Sequence, residues 1–177
     1  MQMRISASAL WLPLIAQGLC MAVDEFYFHW RRTLPRWERL GHPLDSLTVL
    51  ACLAWLLAVP PNARALNVYA VLCIGSCLCI TKDETVHQRY CRAGEHWLHA
   101  VLFILHPLVL LSAALLWPAW HGQTLSFISY TGYECNLLLS TTVVTLMFGL
   151  YQLVYWNFIW PRKRGLQARS TMTSTTN

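Results

Sequence analysis

Carboxylates and imidazoles recur along this chain in pairs at helical spacing. They are Asp24-Glu25-x3-His29, His42-Pro43-Leu44-Asp45, Asp83-Glu84-x2-His87 and Glu95-His96-x2-His99. Residues three or four apart share a helix face. By that rule Glu25 faces with His29, His42 with Asp45, Asp83 and Glu84 with His87, and Glu95 with His99. His106 lies seven residues beyond His99, on the same stripe. Carboxylate and imidazole together are the donors that iron, manganese and zinc accept, and no thiolate accompanies them, which argues against copper(I). Soluble di-iron bundles take Glu and Glu-x-x-His from four helices, and Glu84-Thr-Val-His87 has that spacing. The candidate ligands are therefore Glu25, His29, His42, Asp45, Asp83, Glu84, His87, Glu95, His96 and His99.

Taken singly, each residue has a plainer reading. Asp24 can pair with Arg31 or Arg32, Asp45 can cap a helix that has Pro43 in its first turn, and Lys82, Arg89 and Arg92 can neutralise Asp83 and Glu84. Jointly they form a pattern that solubility alone does not produce: four successive segment ends carry such pairs. Asp24-Glu25-x3-His29 and Asp83-Glu84-x2-His87 also read as an internal repeat, in which two helix hairpins each supply half of a pseudo-symmetric site.

The elements that must position these groups are apolar. The chain has 177 residues, 56% hydrophobic and 12% charged, with mean hydropathy +0.40. Soluble domains carry about 25% charged residues. Five apolar stretches, near 7–23, 47–59, 65–80, 97–117 and 137–160, read as spanning helices, for which about 20 residues are needed. The second and third are short, and reach that length only by continuing into the polar residues beside them. The expected fold is all-α: a polytopic membrane bundle of about five transmembrane helices, with a polar four-helix core near the cytoplasmic face. Residues 1–165 form one transmembrane domain, and the Ser/Thr-rich segment 166–177 reads as a disordered cytoplasmic tail. Residues 7–23 have the alternative reading of a cleaved signal peptide.

Eleven of the thirteen Lys and Arg residues fall in the 1–2 loop, the 3–4 loop and the C-terminus, leaving only Arg4 and Arg64 on the opposite side. The positive-inside rule puts the C-terminus in the cytoplasm and the N-terminus outside. Trp11, Trp117 and Trp120 read as outer interfacial anchors, and Trp30, Tyr155, Trp156 and Trp160 as inner ones. Gln152, Tyr155 and Asn157 reach the level of the polar cluster, as partners that orient metal ligands. His121 and Glu134 fall in the outer loop, with surface roles expected. The cysteines sit mainly in apolar segments without a CxxC pair, and act as small hydrophobes.

The leading functional expectation is a membrane metalloenzyme, a di-iron or similar di-metal oxidoreductase acting on a lipid-soluble substrate and served by an electron donor. Zinc or manganese are alternatives. Haem on His99 or His106, with His29 or His87 facing, is disfavoured by the carboxylates. A zinc-dependent lipid hydrolase uses the same ligands, with metal-bound water as nucleophile and Asp83 as base. A metal or proton transporter, or a structural subunit, is the non-enzymatic alternative. Nothing in the chain points to nucleic acid, and the basic loops reflect topology and anionic lipid. The layout resembles that of membrane-bound lipid desaturases and hydroxylases, which use many histidines at the cytosolic face. Their HxxxH and HxxHH boxes are absent, so no residue is carried over. Glu95-His96-x2-His99 also departs from HExxH, which speaks against a zincin-type protease.

Overall fold

The computed structural model describes residues 4–31, 34–84 and 91–161, the side chains of Asp83 and Cys135 excepted. His87, which ends the second half of the apparent repeat, Arg89 and the tail lie outside them. The described chain is five long helices. α1 (Trp11–Val23) is preceded by a 3-10 turn (Ala7–Leu10) and continues through a π-helical turn (Asp24–Phe28) into a short 3-10 turn (His29–Arg31). α2 runs over Arg36–Ala58, and α3 over Ala63–Cys79 with a 3-10 extension (Ile80–Asp83). α4 covers Ala93–Trp120. α5 covers Glu134–Val154 and ends in a second π-helical turn (Tyr155–Ile159). Each of the five is long and apolar enough to cross a membrane. The two short apolar stretches reach that length as expected, α2 by starting at Arg36 and α3 by running on to Lys82.

α2 is the central helix, packed on α5, α3 and α4. Its core contacts are Val49, Cys52, Leu53 and Leu56 against Tyr69, Leu110, Ala113, Trp117 and Leu138. α2 and α5 come close at Gly149, where an added Cβ would lie 3.0 Å from Ser46 Cβ. A small residue at such a crossing lets two backbones close on each other. The outward surface is apolar: Leu12, Val71, Leu78, Ile104 and Val144 are each at least 65% exposed.

The buried carboxylates of the bundle divide between its two ends. One end, the polar end, carries Asp24, Glu38 and Glu95. At the other, the last carbonyls of α2, which no helical N–H can reach, accept bonds from side chains. His121 Nε2 donates to Leu56 O at 2.9 Å, Trp120 Nε1 to Leu57 O at 3.0 Å and Trp117 Nε1 to Val59 O at 2.7 Å. Trp117 and Trp120 are thus caps for a neighbouring helix as well as aromatic residues near an edge, and His121 has the same role.

Glu134 is not a surface residue. It is 2% exposed, and its carboxylate accepts from Thr131 N (2.6 Å), Thr131 Oγ1 (2.9 Å) and Gly132 N (2.6 Å). The turn that brings these donors together needs φ = +93° at Gly132, a backbone region glycine enters freely. At the same end Ile5–Ser6 pairs in parallel with Ile128–Ser129.

Pro43 lies inside α2, not in its first turn. Proline has no N–H, so the carbonyl four residues back, on Arg39, loses its helical donor. Asn157 Nδ2 supplies one from the end of α5, at 3.1 Å.

Candidate metal centre

Three segments converge at the polar end: the π-helical end of α1, the first turns of α2 and the first turns of α4. Asp24, His29, Glu95 and His99, all buried, offer donor atoms that lie within 4.8 Å of one another. His99 Nε2 is 3.1 Å from Asp24 Oδ1, and His29 Nε2 is 3.3 Å from Asp24 Oδ2 and 3.9 Å from Glu95 Oε1. Metal–ligand bonds of about 2.0–2.2 Å give a coordination shell with edges of roughly 3.0–3.5 Å. The two shorter separations fall in that range, and the third needs a shift of a few tenths of an ångström. The set can hold a metal ion.

A second group adjoins the first. His29, Glu38 and His42 also place donor atoms within 4.8 Å of one another, and the His29 and His42 rings face each other at 4.7 Å between centroids. Sharing His29 makes the two groups neighbours. Glu25 completes the cluster: its Oε2 is 3.4 Å from His29 Nδ1. It is also held from behind by α5. Trp156 Nε1 donates to Glu25 Oε1 at 2.6 Å, and Gln152 Nε2 donates to Oε2 at 3.2 Å. Glu25, Trp156 and His29 are each no more than 1% exposed. Four buried carboxylates, Asp24, Glu25, Glu38 and Glu95, therefore surround His29, His42 and His99.

The π-helical turn explains why Asp24 faces His29. In an α-helix, residues five apart point to different sides. Here the His29 N–H reaches back to the carbonyl of Asp24 as well as to that of Glu25. This i→i+5 geometry is that of a π-turn, and it puts Asp24, Glu25 and His29 on one side together. Sequence reasoning at α-helical spacing chose Glu25 and left Asp24 to an arginine. Glu38 was missed for a different reason. It is four residues before His42, but the apolar pattern starts α2 too late to include it. The legible signal was Pro35, which occupies the N-cap position and so marks a helix start ahead of Glu38.

Among the described residues, the remaining sequence candidates belong to neither of these groups. Asp45 is bonded to Lys82, with Nζ donating to Oδ1 at 2.6 Å. Glu84 and His96 are half-buried and belong to neither group. The side chain of Asp83, and His87, lie outside the described part of the structure. His106 is buried, with Nε2 2.9 Å from Ser76 Oγ. Of the expected orienting partners, Gln152 bonds Glu25, while Asn157 serves the Arg39 carbonyl. Tyr155 stacks between Trp30 and Tyr151. Trp156, read as an interfacial anchor, is instead 1% exposed and the closest donor to Glu25.

A cavity of about 480 Å³ leads to the cluster. Asp24, His42, His99 and Gln152 line its polar end, and Trp11, Leu14 and Leu137 its far end. Comparison with protein-family models, with curated protein sequences and with solved structures finds no match for this chain.

Proposed function

We propose that the chain is an integral membrane metalloprotein that binds two iron ions, or a similar pair, and oxidises a lipid-soluble substrate at the cytoplasmic interface. The observation that carries this reading is the gathering of Asp24, Glu25, Glu38 and Glu95 around His29, His42 and His99. Buried charges need close compensation. Four carboxylates carry a formal charge of −4, and two divalent ions carry +4. Four carboxylates with two or more histidines is also the donor set of di-metal helix bundles. The five apolar helices and their apolar outer surface support the membrane, and the distribution of Lys and Arg supports a cytoplasmic polar end.

The overall conversion is R–H + O2 + 2 e⁻ + 2 H⁺ → R–OH + H2O, with the electrons from an external one- or two-electron donor. When bound, a redox metal pair supplies the activation of dioxygen. The chain's own residues do the rest. Asp24, His29, Glu95 and His99 form one ligand group, and Glu38 and His42 extend it. Trp156 and Gln152 fix the carboxylate plane of Glu25, as outer partners of metal ligands do. The apolar helices around the cluster exclude water and admit a hydrocarbon.

The test is metal content of the detergent-purified protein by elemental mass spectrometry, beside Glu95→Gln and His99→Gln variants. About two irons per chain, lost in both variants while thermal unfolding stays cooperative, is the expected result. One zinc per chain would replace the oxidase with a hydrolase. No metal in folded protein prepared without chelator would overturn both, and leave a transporter or structural subunit.

A further inference from the structure

We infer that the cavity beside the cluster binds the hydrocarbon chain of a bilayer lipid, admitted sideways between α1 and α5. The inference rests on the membrane reading above and names the substrate class of the same site.

α1 and α5 meet near their two ends and line the cavity between these closures. At the far end, Ala7 and Leu10 pack with Leu137. At the polar end, Trp30 Nε1 donates to Tyr151 Oη at 3.1 Å, and Phe26 packs on Tyr151. Between these closures the cavity is walled by Ile15, Gly18 and Met21 from α1 and by Thr141, Val144 and Phe148 from α5. Ile15 and Val144 are 52% and 66% exposed, so they form the rim of a side opening at mid-helix depth. In a bilayer, that depth holds acyl chains and no water. The back wall, on α4, is Leu102, Phe103, His106 and Val109.

The dimensions agree with a chain as occupant. The volume, about 480 Å³, is within the roughly 300–1,000 Å³ of pockets that bury one ligand. Gly18 and Asp24 are six residues apart on the α1 wall, which spans about 9 Å of helix axis. A headgroup would have to cross hydrocarbon to enter here, whereas a methylene chain crosses nothing unfavourable. The carbon that reaches Asp24 and His99 is therefore part of a chain and not of a headgroup.

Gly18 provides the handle for a test. Gly18 lines the cavity, and a Cβ at this position would meet nothing within 4 Å, so a large side chain can be introduced at the cavity wall without a clash at its Cβ. The full chain would be placed in nanodiscs containing phosphatidylcholine with a mid-chain diazirine, irradiated, digested and mapped by mass spectrometry. Metal content would be measured on the same samples. Labels are expected at Leu102 and Phe103 as well as at outward Leu12 and Leu19. In Gly18→Trp, and independently in Val144→Trp from the opposite rim, the labels at Leu102 and Phe103 are lost, while those at Leu12 and Leu19 and the metal content are unchanged. Absence of interior labels in the parent protein, or their persistence in both folded variants, overturns the lipid-chain assignment. Interior labels in a protein without metal would uphold the chain site and remove the oxidase reading, so the two failures are distinguishable.

Discussion

Trp156→Phe isolates one bond at the heart of the cluster. The indole N–H lies 2.6 Å from Glu25 Oε1, with both residues 1% exposed. Phenylalanine keeps an aromatic ring beside His29 but removes the donor. A hydrogen bond to a charged group contributes about 1.5–3 kcal/mol, against about 0.5–1.5 kcal/mol for a neutral pair. For a chain of this length that predicts a fall in Tm of roughly 3–12 °C. Glu25→Gln neutralises the acceptor, so in that background Trp156→Phe falls to the neutral range. The two changes are expected to couple by about 1–2 kcal/mol. Trp160→Phe is the control: Trp160 packs on Trp156 at 5.7 Å between ring centroids but does not donate to Glu25. The assay is thermal unfolding in detergent for all four members of the cycle, with metal affinity as a second readout. Loss of an outer partner typically weakens metal binding 10–100-fold. Additivity of the two changes to within about 0.5 kcal/mol would refute the claim that Trp156 acts through the Glu25 carboxylate.

Two further predictions concern the scaffold. Burial would raise the Glu134 pKa, but the bonds from Thr131 and Gly132 outweigh it and hold the group below its ordinary value. A depressed folded pKa stabilises the fold above the unfolded value of about 4.3, and the contribution is lost as pH falls through the folded value. Between about pH 6 and pH 3, Tm should therefore fall further in the parent protein than in Glu134→Gln, and parallel curves would refute it. Asn157→Leu should cost about 1 kcal/mol by stripping the Arg39 carbonyl of its donor, and should cost little in a Pro43→Ala background, where the helix supplies that N–H. Equal costs in the two backgrounds, read by chemical or thermal unfolding, would count against the compensation.

The parts of this molecule that follow α-helical periodicity were legible in the sequence. The five helices were, and so was the pairing of Glu95 with His99, which needs only i, i+4 spacing. So was the convergence of Glu25, His29 and His42, because antiparallel helices bring alternate ends to one level. What periodicity could not supply is departure from the regular helix. Asp24 enters the cluster through a π-turn, and nothing in Asp-Glu-Phe-Tyr-Phe announces one. Glu38 was hidden because a polar first turn carries no apolar pattern. Asp45 shows the opposite failure: it follows His42 at helical spacing, but Lys82, in the 3-10 extension of α3, bonds it. Trp156 was assigned by residue type to an interface, and only the second π-turn reveals that its indole points inward.

Each π-turn contains one residue more than a regular helix would use, and one residue turns a helix by about 100°. The cluster thus depends on chain length in two places as much as on residue identity. Deleting any one residue within Asp24–Phe28 would swing all that precedes it on α1 relative to His29. The same loss within Tyr155–Ile159 would move Trp156 off Glu25. The two turns lie in different helices and are joined by the hydrogen bond from Trp156 to Glu25. They form a matched pair: removing one strands the other, and substitutions can tune the centre only while both remain.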